Sequence, residues 1–264
     1  MPADDDATRP LTRRERLRRQ TVDEIVEAAL GLVDDGGAHG LSLASVGKAV
    51  GMTPPALYHY FASREALLDA LVLAGYADLG TAVETAVRQA QDRSPADRLA
   101  AITGAWRRWA LGHPRRYSML FTGSRRQAVD PLESVGAISQ SMLALVTTIQ
   151  EVAAGTGTGG AASPGAATPA VTADAGADAA VDAGADAGSA AGESALDQDL
   201  ARWGRSLGFP AEATPALRLA LSTWYRVHGL VSLEIVGAFG TMGLDGERLL
   251  AAELEGLVRE AARA

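Results

Sequence analysis

GLSLASVGKAVGMTPPALYHYFASREALLDAL, Gly40 to Leu71, is the stretch that decides the fold. Leu43, Val46 and Val50 recur at spacings of three and four and share one face of a helix that Ser42, a good N-cap, starts. Gly51 ends it, because glycine tolerates the positive φ of a helix stop. Thr53 caps the next helix, with Pro54 and Pro55 in a first turn where missing N–H groups cost little. In that second helix Leu57 and Phe61 point one way, Ala56, His59 and Tyr60 point elsewhere, and Tyr58 is borderline. Ser63 caps a third helix beginning at Arg64.

A helix, a tight turn and a short helix that shows its aromatics have the form of a major-groove reader, whose N-terminal side chains meet base edges and phosphates. The spacing of Gly51, the run Leu57-Tyr58-His59-Tyr60-Phe61 and the following Arg64 to Leu71 resemble the TetR family of bacterial transcriptional regulators over roughly residues 19–79. The resemblance implies that Thr53, Pro54, Pro55, Ala56, Tyr58, His59 and Tyr60 line the recognition helix. It further implies that Lys48 and Arg64 hold phosphates, with Ser42 among the DNA-binding positions. Proline at 54 and alanine at 56 leave no long polar side chain for bidentate base contacts. Base readout then rests on methyl contacts, Tyr58, His59 and DNA shape.

The chain has 264 residues, 47% of them hydrophobic, enough for a buried core in one or two domains. A net charge of -8 argues against nucleic-acid binding by bulk positive charge and puts the weight on a local patch. Arg9, Arg13, Arg14, Arg16, Arg18 and Arg19 form one, opposed only by Glu15. It reads either as an arm for the DNA backbone or minor groove or as the solvated start of a helix. Without cysteine there is no disulfide framework, thiolate metal site or cysteine nucleophile. The start lacks the apolar core of a secretion signal and no run of about 18 apolar residues occurs, so a cytoplasmic protein without membrane segments is expected.

Val22, Ile25, Val26, Ala29 and Val33 form an amphipathic stripe from Thr21 to Asp35, with Thr21 and Glu24 placed for a capping box. Helical pattern is allowed from near Arg16, and Gly36 and Gly37 end it. Ala66 to Val83 suits a long connecting helix. Ser94 and Pro95 open a helix with the stripe Leu99, Ile102, Trp106, Trp109 and Ala110, followed by a short one from Arg115 to Phe121. Pro131 opens another, with Leu132, Val135, Ile138, Met142, Leu145 and Ile149 on one face.

Residues 155–195 are dominated by Ala, Gly and Asp and read as a disordered acidic insert. Leu217 to Phe239 reads as one long apolar helix, and Asp245 to Ala262 as the last. The expected architecture is all-α. A basic, partly disordered arm (1–18) precedes a helix-turn-helix DNA-binding domain (19–79, the motif itself at 42–61). A helical ligand-binding and dimerisation domain carrying the insert occupies 80–264.

Other motifs carry no chemistry. Gly155, Gly157 and Gly160 fit GxGxxG, but Pro164 and Pro169 forbid the helix that must follow such a turn. Gly40 to Lys48 is not a phosphate loop, since its glycines are misplaced and Ala49 stands where Ser or Thr is needed. Asp174, Asp178, Asp182 and Asp186 repeat every four residues, whereas calcium loops place ligands two apart. His39, His59, His113 and His228 are scattered singly. No enzymatic activity, metal or cofactor is expected.

Trp224, His228 and Gly229, in WYRVHG, look like the WHG signature of one TetR subgroup, which implies a helix at or near a homodimer interface. Gly237 lies two turns on, on the face of Gly229, and joins the candidate interface. Trp106, Trp109, Tyr117, Phe121, Met142 and Tyr225 are candidates to line an effector pocket, and equally suited to fill a core. The expected function is a ligand-responsive repressor, homodimeric on a palindromic double-stranded DNA operator and released by an unknown small apolar effector. The competing reading is a helical carrier or enzyme with an apolar pocket.

Overall fold

A computed structural model describes residues 12–121, 131–155 and 188–263, with side chains placed for 12–121, 142–155 and 195–263. Its elements are eleven α-helices and two single 3-10 turns, Ala38–Gly40 and Ala211–Ala213, with no strand among the described residues. The chain divides into two compact units, Met1–Gly80 with Trp109–Ala137, and Thr81–Arg108 with Ile138–Ala264.

In the first unit α1 spans Arg13–Gly36, α2 Leu43–Ala49, α3 Pro54–Tyr58, and α4 starts at Arg64 and continues to Gln89. α1 begins eight residues before Thr21. Thr12 is the N-cap, its hydroxyl accepting from the Glu15 amide at 3.3 Å while the Glu15 carboxylate accepts from the Thr12 amide at 2.7 Å. The box expected at Thr21 and Glu24 is therefore not formed. Thr21 sits inside the helix with its hydroxyl donating to the Leu17 carbonyl at 3.0 Å, and Glu24 accepts from Gln20. Arg13 to Arg18, expected in a partly disordered arm, lie in α1, whereas Arg9 falls outside the described residues.

The stripe of α1 does bury as its period requires. Ile25, Ala29 and Val33 pack with Leu43 and Val46 of α2, Leu57 of α3 and Leu67 and Leu71 of α4. Each buried Ile, Val or Leu among them is worth about 1.5–3 kcal/mol. Arg64 draws the start of α4 onto the turn before α2. Its Nε donates to the Leu41 carbonyl at 2.7 Å and its Nη2 to that of Ala38 at 2.8 Å. α6, Pro114–Phe121, holds the other end of α1. Arg115 donates to the Asp34 carbonyl at 2.6 Å, one of the carbonyls a helix end leaves without a partner. Arg116 grips the Asp34 carboxylate with both branches of its fork, at 2.9 and 2.5 Å, and reaches Asp78 of α4 at 3.2 Å.

α4 is the described helix long and apolar enough to cross a membrane. It serves as a core element, with Leu67, Leu71, Leu79 and Val83 buried.

In the second unit α9, Thr214–Ile235, is packed by α8, Gly188–Ser206, by α10, Ala238–Met242, and by α11, Gly246–Ala261. Leu217, Ala220, Val227 and Val231 form its buried side. α5, Pro95–Gly112, starts as expected at Ser94, whose hydroxyl accepts from the Asp97 amide at 3.2 Å. Its predicted stripe is buried throughout. α7, Pro131–Ala153, buries Met142, Leu145 and Ile149, while the side chains of Leu132, Val135 and Ile138 lie outside the described residues.

Two expectations are corrected here. Residues 188–195, assigned to the disordered insert, open α8, and 156–187 lie outside the described residues. The apolar run to Phe239 is not one helix. Gly237 takes φ +77°, so α9 stops at Ile235 and a short α10 follows.

Candidate nucleic-acid interface

The reading head is built on a close approach. Ser42 caps α2, its hydroxyl accepting from the Ser45 amide at 3.0 Å, and Ser45 returns the bond to the Ser42 amide at 3.0 Å. At the other end Gly51 adopts φ +69°, and the Met52 amide donates to the Gly47 carbonyl at 2.8 Å. A Cβ on buried Gly47 would stand 2.9 Å from the Met52 carbonyl oxygen. Gly47 therefore sets how closely the turn folds onto α2. Sequence reading passed it over, although a glycine inside a helical pattern is the available signal.

The turn fixes which face of α3 looks outward. Leu57 is fully buried and Phe61 nearly so, anchoring the helix to the core. Thr53, Pro54, Pro55, Tyr58 and His59 are exposed, while Ala56 and Tyr60 are half-buried. Tyr58, borderline in the sequence, is 55% exposed. Lys48 is exposed on the last turn of α2. Nearby, the first turns of α1 present Arg13, Arg14, Arg16, Arg18 and Arg19 as an exposed basic run. Glu15 among them is held below its ordinary carboxylate range by hydrogen bonds from Thr12.

Three of the expected site residues sit differently. Thr53 occupies the N-cap of α3, but its side chain makes no capping bond, and Pro54 and Pro55 remove two N–H donors from that end. This five-residue helix therefore offers no anion cradle at its start. Arg64, expected on phosphate, spends its guanidinium on the carbonyls of Leu41 and Ala38. Tyr60 lies beneath Arg18, whose guanidinium is 5.3 Å from the ring centroid.

The candidate effector residues divide between the two units. Trp109 donates to Asp78 at 3.0 Å, and the rings of Tyr117 and Phe121 meet at a tilt with centroids 4.9 Å apart, all in the first unit. In the second unit Trp106 stacks on Trp224 at 6.2 Å and Met142 is buried. A cavity of about 850 Å³ opens instead among α8, α9 and α11, lined by Leu196, Leu200, Arg218, Leu219 and Ser222 among others. Of the six candidates Tyr225 alone lines it.

Of the candidate dimer residues, Trp224 and His228 stack on each other at 5.4 Å, Trp224 stacks on Trp106, and His228 meets Trp106 at a tilt. Burial pushes the His228 imidazole below its ordinary range. A Cβ added at Gly229 would meet nothing within 4 Å, so that face of α9 is open. Gly237 is a helix stop and shares no helical face with Gly229. Among the described residues no three His, Asp or Glu side chains gather to hold a metal.

Residues 25–71 match the family described as bacterial regulatory proteins, tetR family. Residues 99–257 match the tetracyclin repressor-like C-terminal domain. The HTH-type transcriptional regulator Mb1846 of Mycobacterium bovis is 26% identical over 228 residues, 86% of each chain. The regulator BetI of Serratia proteamaculans is 33% identical over 86 residues, 33% of this chain and 42% of its own. Among solved structures, regulatory protein SCO4313 has 30% identity and a TM-score of 0.63, over 93% of this chain and 98% of that one. A protein of unknown function from Rhodococcus sp. RHA1, at 21% identity and a TM-score of 0.60 over 97% and 98%, shares the fold.

Proposed function

The chain belongs to the TetR family of DNA-binding transcriptional regulators, and on that premise we propose that it is a homodimeric, effector-released repressor that reads a palindromic operator through α3. The observation that carries the assignment is the split of α3 between a buried Leu57 and exposed Tyr58 and His59. A helix this short is held from behind by one anchor and can lay its other side chains on base edges. Thr53, Pro54, Pro55, Ala56, Tyr58 and His59 form the reading surface, and Lys48 with Arg13, Arg14, Arg16 and Arg19 of α1 supplies phosphate contacts. Ser42 and Arg64 hold the motif in shape through their hydrogen bonds. Two heads related by a two-fold axis meet half-sites roughly 34 Å apart.

Dimerisation is assigned to the open side of α9, where Tyr225 and Gly229 lie one turn apart and the C-cap Val236 beyond them is 75% exposed. The Trp224 and His228 stack supports placing the second unit in the WHG subgroup. The effector is a small, largely apolar molecule for the cavity beside Tyr225, whose volume suits a small ligand. The protein acts in the cytoplasm and is not an enzyme.

Selection from a random duplex pool, followed by gel shifts across a salt series, tests this reading. Enrichment of one palindrome, bound at least 1000-fold tighter than bulk DNA and with a steep salt dependence, supports it. Weak binding without sequence preference removes the assignment of α3 as reader.

A further inference from the structure

We infer that Arg18 is a positioning residue for DNA reading, clamping the C-terminal end of α3 from α1. The inference rests on the reading of α3 given above. α3 ends at Tyr58 with His59 as its cap, so the carbonyls there lack the partners a longer helix would supply. Arg18 Nη2 donates to the His59 carbonyl at 3.2 Å, across 41 residues of sequence. The same guanidinium lies over the Tyr60 ring, 5.3 Å from its centroid. One planar cation thus holds the backbone of one residue and the ring of the next.

The contact is directional in what it fixes. Leu57 and Phe61 secure the inner side of this segment, but His59 and Tyr58 project from its outer side, where the core provides no hold. The backbone bonds at this end, His59 to Ala56 at 3.3 Å and Tyr60 and Phe61 to Leu57 at 2.9 and 3.0 Å, close a helix of five residues and leave the His59 carbonyl to Arg18. Such a helix is marginal without tertiary support. Arg18 supplies that support on the solvent side and so sets the direction in which His59 and Tyr58 meet a groove. Among the basic residues at the start of α1 it has an identified internal task, which a purely electrostatic role would not require.

The test uses the full-length protein and the duplex enriched by the wild type. Dissociation constants are measured across a salt series for Arg18→Ala, Arg18→Lys and Tyr60→Leu, with thermal midpoints of the free proteins as a folding check. Specific affinity should fall about tenfold in Arg18→Ala, with the slope of log K against log salt unchanged and binding to unrelated DNA unaltered. Arg18→Lys should recover little, because an ammonium cannot donate to His59 and lie flat on Tyr60 at once. A salt slope reduced by about one, with Arg18→Lys close to wild type, would mean a phosphate contact and overturns the inference. So does unchanged specific affinity in Arg18→Ala. If an Arg18 variant lowers the thermal midpoint, amide exchange of residues 57–61 decides, faster exchange confined there supporting the clamp and uniform change overturning it. Failure of the wild type to enrich any duplex is a separate outcome and removes the reading of α3 itself.

Discussion

The Arg64 Nε donates to the Leu41 carbonyl at 2.7 Å, and with the Nη2 bond to Ala38 at 2.8 Å this joins the start of α4 to the lead-in of α2. The bonds are half-buried, so removing the guanidinium takes the donor from the Leu41 carbonyl and leaves the Ala38 carbonyl with the longer 3.4 Å bond from the Leu41 amide. Arg64→Ala is expected to cost about 2 kcal/mol of unfolding free energy, seen as a lower urea midpoint at unchanged slope. Arg64→Lys should recover less than half, because one ammonium cannot span both carbonyls. Loss of DNA affinity with wild-type stability would return Arg64 to the phosphates.

Gly47→Ala places a Cβ 2.9 Å from the Met52 carbonyl oxygen, a backbone atom that cannot swing aside. The helix-turn-helix must open to admit it. The expected cost is about 1–3 kcal/mol, outweighing the better helix propensity of alanine. Urea unfolding checks this, and Gly31→Ala is the control, since an added Cβ there meets nothing within 4 Å.

Arg107 of α5 grips Glu234 near the end of α9 with a fork at 2.8 and 2.6 Å, and both side chains are less than one-fifth exposed. Breaking one side leaves a partly buried charge. Arg107→Ala is therefore expected to destabilise by about 2–3 kcal/mol, below the range for a fully buried pair because some solvent reaches it. Arg107→Met with Glu234→Gln should restore at least half, since no unpaired charge remains. A double variant no better than the single one would show that packing, not charge, carries the effect.

The helix-turn-helix was legible because its signals act within a few residues. Ser42, Gly51 and Pro54 each fix a local dihedral or a local bond, and Leu57 declares its anchor by spacing alone. The start of α1 was misplaced because Thr12 and Glu15 lie inside an arginine run that resembles a tail. α8 was missed because its first residues continue the Ala/Gly composition of the segment before it. The roles of Arg64 and Arg18 depend on carbonyls 23 and 41 residues away, which no local period encodes. Aromatics at helical spacing fill cores by default, and Trp106 and Tyr117 do so here.

His228 provides the pH prediction. Burial lowers its folded-state pKa below the ordinary 6.5, so the unfolded chain takes up more protons there as the solution is acidified. Stability from this group is complete above the unfolded value, decreases as pH falls through 6.5, and reaches its floor once pH lies below the folded value. Its ring lies against those of Trp224 and Trp106. His228→Phe keeps a ring in the stack and removes the titration. Thermal midpoints taken between pH 8 and pH 5 should therefore fall less in the variant than in the wild type, while its midpoint at pH 8 stays close. Parallel curves would place the acid sensitivity of this region elsewhere. Asp245, held below its ordinary range chiefly by the Arg248 amide, acts on the other side of that window, its stabilisation being lost only as pH falls below the ordinary carboxylate value of 3.8.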